Sequence, residues 1–120
     1  MTEPMIFIVD NNRSNLEQLA QQLDEEGYST VGASSPDEID STIEKQENIK
    51  LALLDLAGFD DSIWEHCDCM HGAKIPFIAI APQRSPGTQR DSMKHGACGL
   101  LVKPLGIKEL IEHIHAALGD

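Results

Sequence analysis

Short apolar runs alternate with helical segments along the whole chain, and this alternation limits the fold more than any other feature. The predicted strands are residues 5–9, 29–33, 49–56, 75–81 and 98–102. Each is followed by a helical apolar pattern or by a helix-start signal such as Ser35-Pro36. Strict alternation requires right-handed crossovers and a parallel sheet covered on both faces. The sequence therefore predicts one α/β domain over residues 1–120, a doubly wound sheet of five parallel strands with five helices.

Composition excludes several classes of protein. At 120 residues, 41% of them hydrophobic, the chain can bury a core without disulfides or metal ions. The three cysteines, Cys67, Cys69 and Cys98, cannot all pair within the chain, and reduced thiols are the simpler interpretation. No apolar run approaches about 18 residues and no basic leader precedes one, so we expect neither a membrane span nor a signal peptide. The expected location is the cytoplasm.

The net charge of −11 argues against direct binding to nucleic acid, because such binding needs a basic surface to neutralise phosphates. Any contact with DNA would have to come from another domain.

Polar residues stand where three of the predicted strands end. Asp10 and Asn11 follow the first strand, Asp55 ends the third, and Lys103 ends the fifth. Because the carboxyl ends of parallel strands form one edge of a sheet, these side chains should converge there. Converging carboxylates favour a hard cation such as Mg²⁺, and a lysine can pair first with an acid and later with a phosphoryl oxygen.

This constellation predicts phosphoryl transfer onto a carboxylate, with Asp55 as the acceptor because it lies between the other groups. Taken alone, Asp55 is equally well explained as a helix N-cap or loop acid. For Asp10, Asn11, Asp55 and Lys103 together, the alternative is that they are polar residues at strand ends with no shared function.

Four motifs resemble the receiver domain of two-component response regulators. They are Ile-Val-Asp at 8–10, Leu-Leu-Asp at 53–55, His-Gly-Ala at 95–97 and Val-Lys-Pro at 102–104. The resemblance covers essentially the whole chain. It implies a flavodoxin-like fold with strand order 2-1-3-4-5, phosphorylation of Asp55 by a histidine kinase or phosphotransfer protein, and an output domain or effector protein that responds.

The resemblance also implies a set of site residues. Mg²⁺ would be held by Asp10, Asp55 and a backbone carbonyl near Ala57, with Asn11 as a further oxygen ligand that carries no charge. Lys103 would contact the phosphoryl group, with a cis peptide bond between Lys103 and Pro104. The chain would be a signalling protein and not an enzyme with its own substrate. Members of the family often dimerise through their last helices, although no residue in this sequence specifically indicates a dimer.

Three departures from the family pattern bear on this expectation. Asn11 replaces the second of two adjacent acids, which should weaken Mg²⁺ binding. Ala81 replaces a Ser or Thr whose hydroxyl follows the phosphoryl group, and Leu100 replaces an aromatic partner of that hydroxyl. Ser85 and Thr88 lie close enough in sequence to substitute, but Ser85 is also a good N-cap.

Two hypotheses of function follow. Asp10, Asp55 and Lys103 favour a phosphoacceptor, whereas Asn11, Ala81 and Leu100 favour a pseudo-receiver that binds proteins without phosphorylation. We prefer the phosphoacceptor. A flavodoxin-like redox protein is less favoured because no phosphate-binding loop follows the first strand.

The run of possible soft-metal ligands at 66–71 does not have zinc-finger spacing. On a helix its cysteines point in different directions, so we expect packing and exposed residues there rather than a metal site.

Overall fold

The structure is a computed structural model and describes residues 5–46, 48–104 and 106–119. Within these ranges strands and helices alternate as the sequence predicts. The elements are β1 (Met5–Val9), α1 (Arg13–Glu25), β2 (Ser29–Ala33), α2 (Pro36–Lys45), β3 (Ile49–Asp55), α3 (Ile63–Gly72), β4 (Phe77–Ala81), α4 (Pro86–Lys94), β5 (Ala97–Val102) and α5 (Ile107–Leu118).

All described strand pairs are parallel, and the order across the sheet is β2-β1-β3-β4-β5. This order confirms the predicted doubly wound, flavodoxin-like sheet. β4 begins at Phe77, two residues later than predicted, because Pro76 has no N–H to donate to a ladder. The Pro76 carbonyl still accepts from the Ala52 N–H at 2.9 Å. β5 begins at Ala97, one residue earlier than predicted.

The core lies in two layers, one on each face of the sheet. Successive β1 residues alternate between them, since side chains along a strand point to opposite faces. Phe7 packs with residues of α2 and α3, including Ile39 and Met70. Ile8 packs with residues of α1 and α5, including Leu23 and Ile114. This two-sided burial explains why the central strands are almost entirely apolar.

Polar caps mark the starts of three helices. Ser35 accepts from the Glu38 N–H and Ser85 from the Thr88 N–H, which confirms Ser35-Pro36 as a helix start and Ser85 as an N-cap. α1 begins at Arg13 because Asn12 is its N-cap and accepts from the Asn15 N–H.

The 66–71 run behaves as expected for a packed helix. Cys67 and Met70 are buried, whereas Cys69 and His71 are exposed. Burial raises the pKa of the Cys67 thiol to about 12. Among the described residues, no three His, Cys, Asp or Glu side chains are grouped to hold a metal ion. The three cysteines are free thiols.

Across the described ranges, no helix has both the length and the apolar character needed to cross a membrane.

Candidate functional site

Three of the predicted site residues lie together at the carboxyl edge of the sheet. β1 and β3 are neighbours in register, with Val9 opposite Leu54, so Asp10 and Asp55 come next at the same level. Lys103 follows β5 and reaches the same place. The three side chains line one cavity of about 660 Å³. Parallel pairing brings together residues separated by almost the whole chain.

Both carboxylate oxygens of Asp55 are engaged. Lys103 Nζ lies 2.7 Å from Asp55 Oδ2, and the Ala57 N–H donates to Asp55 Oδ1 at 3.0 Å. The Asp55 side chain is 10% exposed and that of Lys103 is 36% exposed. A short ion pair in a largely buried position fixes the carboxylate more firmly than a surface pair would. Asp55 is therefore oriented by a cation on one side and by its own loop on the other.

Asp10 takes part in none of the ion pairs among the described residues, in contrast to Asp55. Its Oδ1 accepts from the Asn12 N–H at 2.9 Å. Burial raises the pKa of Asp10, and the negative charge of Asp55 acts in the same direction, whereas the Asn12 hydrogen bond and Lys103 oppose the rise. Two carboxylates thus share one lysine, and the surplus negative charge favours an additional cation.

Lys103 is positioned by its backbone. Val102 pairs with Ala81 in the sheet, and the Lys103 N–H donates to the Ala81 carbonyl at 3.0 Å. The Lys103–Pro104 peptide bond is cis, as the resemblance implied. The lysine is therefore attached to β4 through its main chain and to β3 through its side chain.

Asn11 and Ala57 lie beside the cavity without lining it. Asn11 is exposed and its amide lies against Gly58, where an added Cβ would come within 2.6 Å of Asn11 Nδ2. Gly58 also has a φ of +84°, a conformation that other residues rarely adopt. Glycine at position 58 thus lets the loop after β3 pass close to Asn11. Ala57 contributes its N–H to Asp55.

The β4 side of the cavity offers little to a phosphoryl group. Ala81 is buried and has no hydroxyl, and Pro82, which lines the cavity, has no N–H. The Ser85 hydroxyl caps α4 by accepting from the Thr88 N–H at 3.4 Å. Leu100 is half-buried and packs in the layer that contains α2 and α3. Sequence reasoning missed Pro82 as a wall residue, although its place directly after the strand end was the available signal.

The cavity continues away from the carboxylates as an apolar groove between α1 and α5. Its lining there includes Leu19 of α1 and Ile107 and Leu110 of α5. Leu19 and Ile107 are only half-buried, because they lie at the mouth of this groove.

The fold and this acidic edge define a class of protein: a flavodoxin-like domain with two carboxylates and a lysine at the carboxyl ends of β1, β3 and β5. The chain belongs to the response regulator receiver domain family, whose model matches residues 6–115. A CheY-like response regulator receiver domain protein from Methanospirillum hungatei is similar in structure. Its TM-score is 0.89 at 27% sequence identity, with 98% of this chain and 95% of that chain covered.

Two further solved structures show the same fold. A two-component response regulator from Clostridium difficile has a TM-score of 0.89 at 22% identity, covering 98% of this chain and 97% of that chain. A response regulator receiver protein from Pseudomonas putida has a TM-score of 0.86 at 24% identity, covering 97% of this chain and 98% of that chain. The predicted family and fold are confirmed.

Proposed function

We propose that this receiver domain accepts a phosphoryl group on Asp55 from a phosphohistidine on a histidine kinase or phosphotransfer protein. A carboxylate oxygen of Asp55 forms a bond to phosphorus as the phosphorus–nitrogen bond to the histidine breaks, and the imidazole leaves with the electron pair. The product is an acyl phosphate on Asp55. The observation that carries the proposal is the Lys103–Asp55 ion pair beside a second buried carboxylate.

Lys103 is suited to respond to this transfer. Its ammonium group now neutralises Asp55 at 2.7 Å. A phosphoryl group adds up to about two negative charges and three acceptor oxygens at the same place. Because a lysine has a flexible stem and a compact charge, it can move from the carboxylate to a phosphoryl oxygen with little change in the main chain.

The residues present fit Mg²⁺. Asp10 and Asp55 supply hard oxygen donors and a surplus negative charge. Burial disfavours the ionised form of Asp10 and so raises its pKa, and a bound divalent cation would counter this by stabilising the carboxylate. These two acids would hold the ion, with the main-chain carbonyl of Ala57 as the third protein donor that the family pattern implies. Mg²⁺ supplies charge neutralisation for phosphoryl oxygens. Asn11 brings no charge, so we expect weak binding.

The response should pass mainly through Lys103 and not through β4. Neither Ala81 nor Pro82 has a side-chain hydroxyl, and Pro82 also has no main-chain N–H to donate. A phosphoryl group can shift an equilibrium only through contacts that differ between the two states. In our proposal, a cytoplasmic output domain or effector protein responds to a change that begins at Lys103 and reaches α5. The domain acts as a switch and catalyses no reaction on a separate substrate.

The test is an amide NMR titration with Mg²⁺, followed by beryllium fluoride, which stands in for a phosphoryl group on an aspartate. We expect wild-type shifts around Asp10, Asp55 and Lys103 that spread into α5, and no response to beryllium fluoride in Asp55→Asn. Asp61→Asn, an exposed acid in the loop after β3, is the matched control and should respond like the wild type.

If millimolar Mg²⁺ and beryllium fluoride both leave the wild-type spectrum unchanged, the phosphoacceptor proposal is wrong. The pseudo-receiver, which binds partners without phosphorylation, would then be the better hypothesis.

A further inference from the structure

The charges in the cavity at the carboxyl edge of the sheet do not balance. Two carboxylates, those of Asp10 and Asp55, and one ammonium group, that of Lys103, line the cavity, so one negative charge remains. Asp10 is 5% exposed and Asp55 is 7% exposed, and Asn11 beside them brings no charge. A bound Mg²⁺ would turn this surplus into one positive charge until a phosphoryl group arrived. One monovalent cation would neutralise it completely.

The rest of the cavity lining is largely apolar. Besides the two acids and the lysine, no charged side chain among the described residues lines the cavity. The apolar lining residues are Leu19, Ile80, Pro82, Pro104, Ile107 and Leu110. A bare metal ion would leave this surface in contact with water, whereas an apolar group that covers it gains about 25 cal/mol for each Å² buried. The cavity therefore suits a ligand that is part cation and part hydrocarbon.

The dimensions of the cavity match those of a small molecule. Asn15, Leu19 and Gln22 all line it, and they share one face of α1 because residues three and four apart are neighbours on a helix. Seven residues of helix rise about 10 Å, which is the length of the groove along α1. The volume of about 660 Å³ lies within the range of small-molecule sites in proteins. Asn15 and Gln22 are exposed and uncharged, so they add no competing charge.

We propose that this cavity binds a small organic ammonium ion with an apolar tail, with the charged head beside Asp10 and the tail between α1 and α5. Asp10 is the better partner for the head because Lys103 already neutralises Asp55 at 2.7 Å. Charge complementarity selects the cation, and burial of the tail supplies affinity. The ligand needs no phosphoryl group, so this inference does not rest on the proposed function. A bound ammonium ion would compete with Mg²⁺ for Asp10.

Two other occupants fit less well. An amphipathic anion such as a fatty acid would place its carboxylate beside two buried acids that have only one lysine between them. A lysine side chain of another protein carries the same charged head. Its peptide groups, however, would have to leave water for a groove whose apolar lining offers them no hydrogen bonds. A free small molecule has no such peptide groups to desolvate.

The test is an amide NMR titration with hexylamine at neutral pH, without Mg²⁺ and without beryllium fluoride. We expect shifts centred on Asp10, Leu19 and Ile107, with a Kd of about 1 mM or below. Hexanol has the same tail without the charge, and methylamine has the charge without the tail. Each should bind at least about tenfold more weakly than hexylamine, because each keeps only one of the two contributions.

Variants separate the two contributions. Asp10→Asn should weaken hexylamine binding by about tenfold, and Leu19→Gln by about fivefold. Lys103→Gln removes the cation that opposes the ligand, so binding should become tighter, a result that a loss of structure would not produce. Leu118→Gln is the matched control for Leu19→Gln. Leu118 is a half-buried leucine of the same core layer that lies outside the cavity lining, and its replacement should change binding less than about twofold.

Several outcomes would overturn the proposal. These are equal binding of hexanol or methylamine, tighter binding of hexanoate, shifts centred on another face, or no shifts up to about 5 mM hexylamine. A short peptide with one lysine between two leucines that bound more tightly than hexylamine would indicate a protein lysine as the occupant instead. Because Mg²⁺ and beryllium fluoride are absent, a positive hexylamine titration beside a negative beryllium fluoride titration would reject only the proposed function.

Discussion

Two arms extend from the last strands of the sheet, and they are anchored very differently. The β4–α4 arm (residues 77–94) ends in a helix whose one buried residue is Ser92, with no hydrogen-bond partner for its Oγ. The β5–α5 arm (residues 97–104 and 106–118) ends in a helix that buries Leu110 and Ile114, with Ile111 packed against the same layer. Apolar burial holds α5, whereas α4 depends chiefly on its ends.

Specific contacts hold both ends of α4. Ser85 caps the start, and at the other end His95 Nδ1 lies 2.8 Å from Asp68 Oδ1 of α3. The His95 ring also stacks on Trp64, with centroids 5.4 Å apart. The middle of the helix contributes little, and Met93, which would add burial, faces solvent. This arrangement leaves the outer face of α4 exposed.

The same contrast holds at the carboxyl edge of the sheet, where Asp10 and Asp55 lie. The β5–α5 arm contributes Lys103, which pairs with Asp55, while the β4–α4 arm lines the cavity with Ile80 and Pro82, which have no polar side chain. The difference teaches that a receiver domain can link the aspartate at the end of β3 to one arm by an ion pair while the other arm offers that aspartate no polar side chain. Four experiments would break or sharpen this comparison.

The largest effect should come from truncating the anchor of α5. Ile114 is fully buried, and Ile114→Ala should lower the free energy of unfolding by about 3 kcal/mol through lost burial and an unfilled cavity. Urea unfolding measures it. Met93→Ala, a comparable truncation on the exposed side of α4, should stay within about 0.5 kcal/mol. Equal losses for the two variants would mean that α4 is anchored as firmly as α5.

Native-state hydrogen exchange should show that α4 opens before α5. We expect the free energy of opening to be about 2 kcal/mol smaller for amides in the middle of α4, because few apolar contacts must be broken there. Amides in the middle of α5 should exchange only with global unfolding. Matching protection in both helices would contradict the comparison.

Replacing Ser92 should strengthen α4. Ser92→Ala removes a buried hydroxyl without a partner and raises helix propensity, so the free energy of unfolding should increase by about 1 kcal/mol. Ser85→Ala, in the same helix, is the control and should lower it by about 1 kcal/mol because the N-cap is lost. A destabilised Ser92→Ala variant would show that the hydroxyl has a partner in solution.

The smallest effect should come from removing the charge of Asp10, which shares the single cation Lys103 with Asp55. The pKa of Asp10 in the folded chain lies above its ordinary 3.8, so the folded state holds that proton more tightly than the unfolded state. Ionisation of Asp10 therefore costs folding free energy, a cost that grows as pH rises through 3.8 and is complete above the raised pKa. Asp10→Asn should raise stability at pH 7 without Mg²⁺ by about 0.5–1 kcal/mol.

The pH dependence is the check on this interpretation. The advantage of Asp10→Asn should shrink in urea unfolding curves as pH falls towards about 4, and Asp61→Asn, an exposed control, should show no such trend. An advantage that is constant with pH would mean that ionisation of Asp10 is not its cause.

Local features of the sequence were enough to predict the elements and the sheet. The apolar runs and the helix-start signals at Ser35 and Ser85 are each visible within about a dozen residues, because backbone geometry and amphipathic spacing are local properties. The strand boundaries at 77 and 97 were less well predicted, since ladder hydrogen bonds with neighbouring strands decide them. The convergence of Asp10, Asp55 and Lys103 followed from strand order and not from any local signal.

The sequence by itself thus determined the alternating architecture and the family, and it predicted Asp55 as the acceptor. Only the tertiary structure decided that Lys103 pairs with Asp55 and not with Asp10, that Pro82 forms a wall of the cavity, and that α4 turns Ser92 inward and Met93 outward. The physical reason is that these outcomes depend on distances between residues far apart in the chain. A helix with few apolar residues carries no pattern from which its buried side can be read, so its neighbours set its rotation.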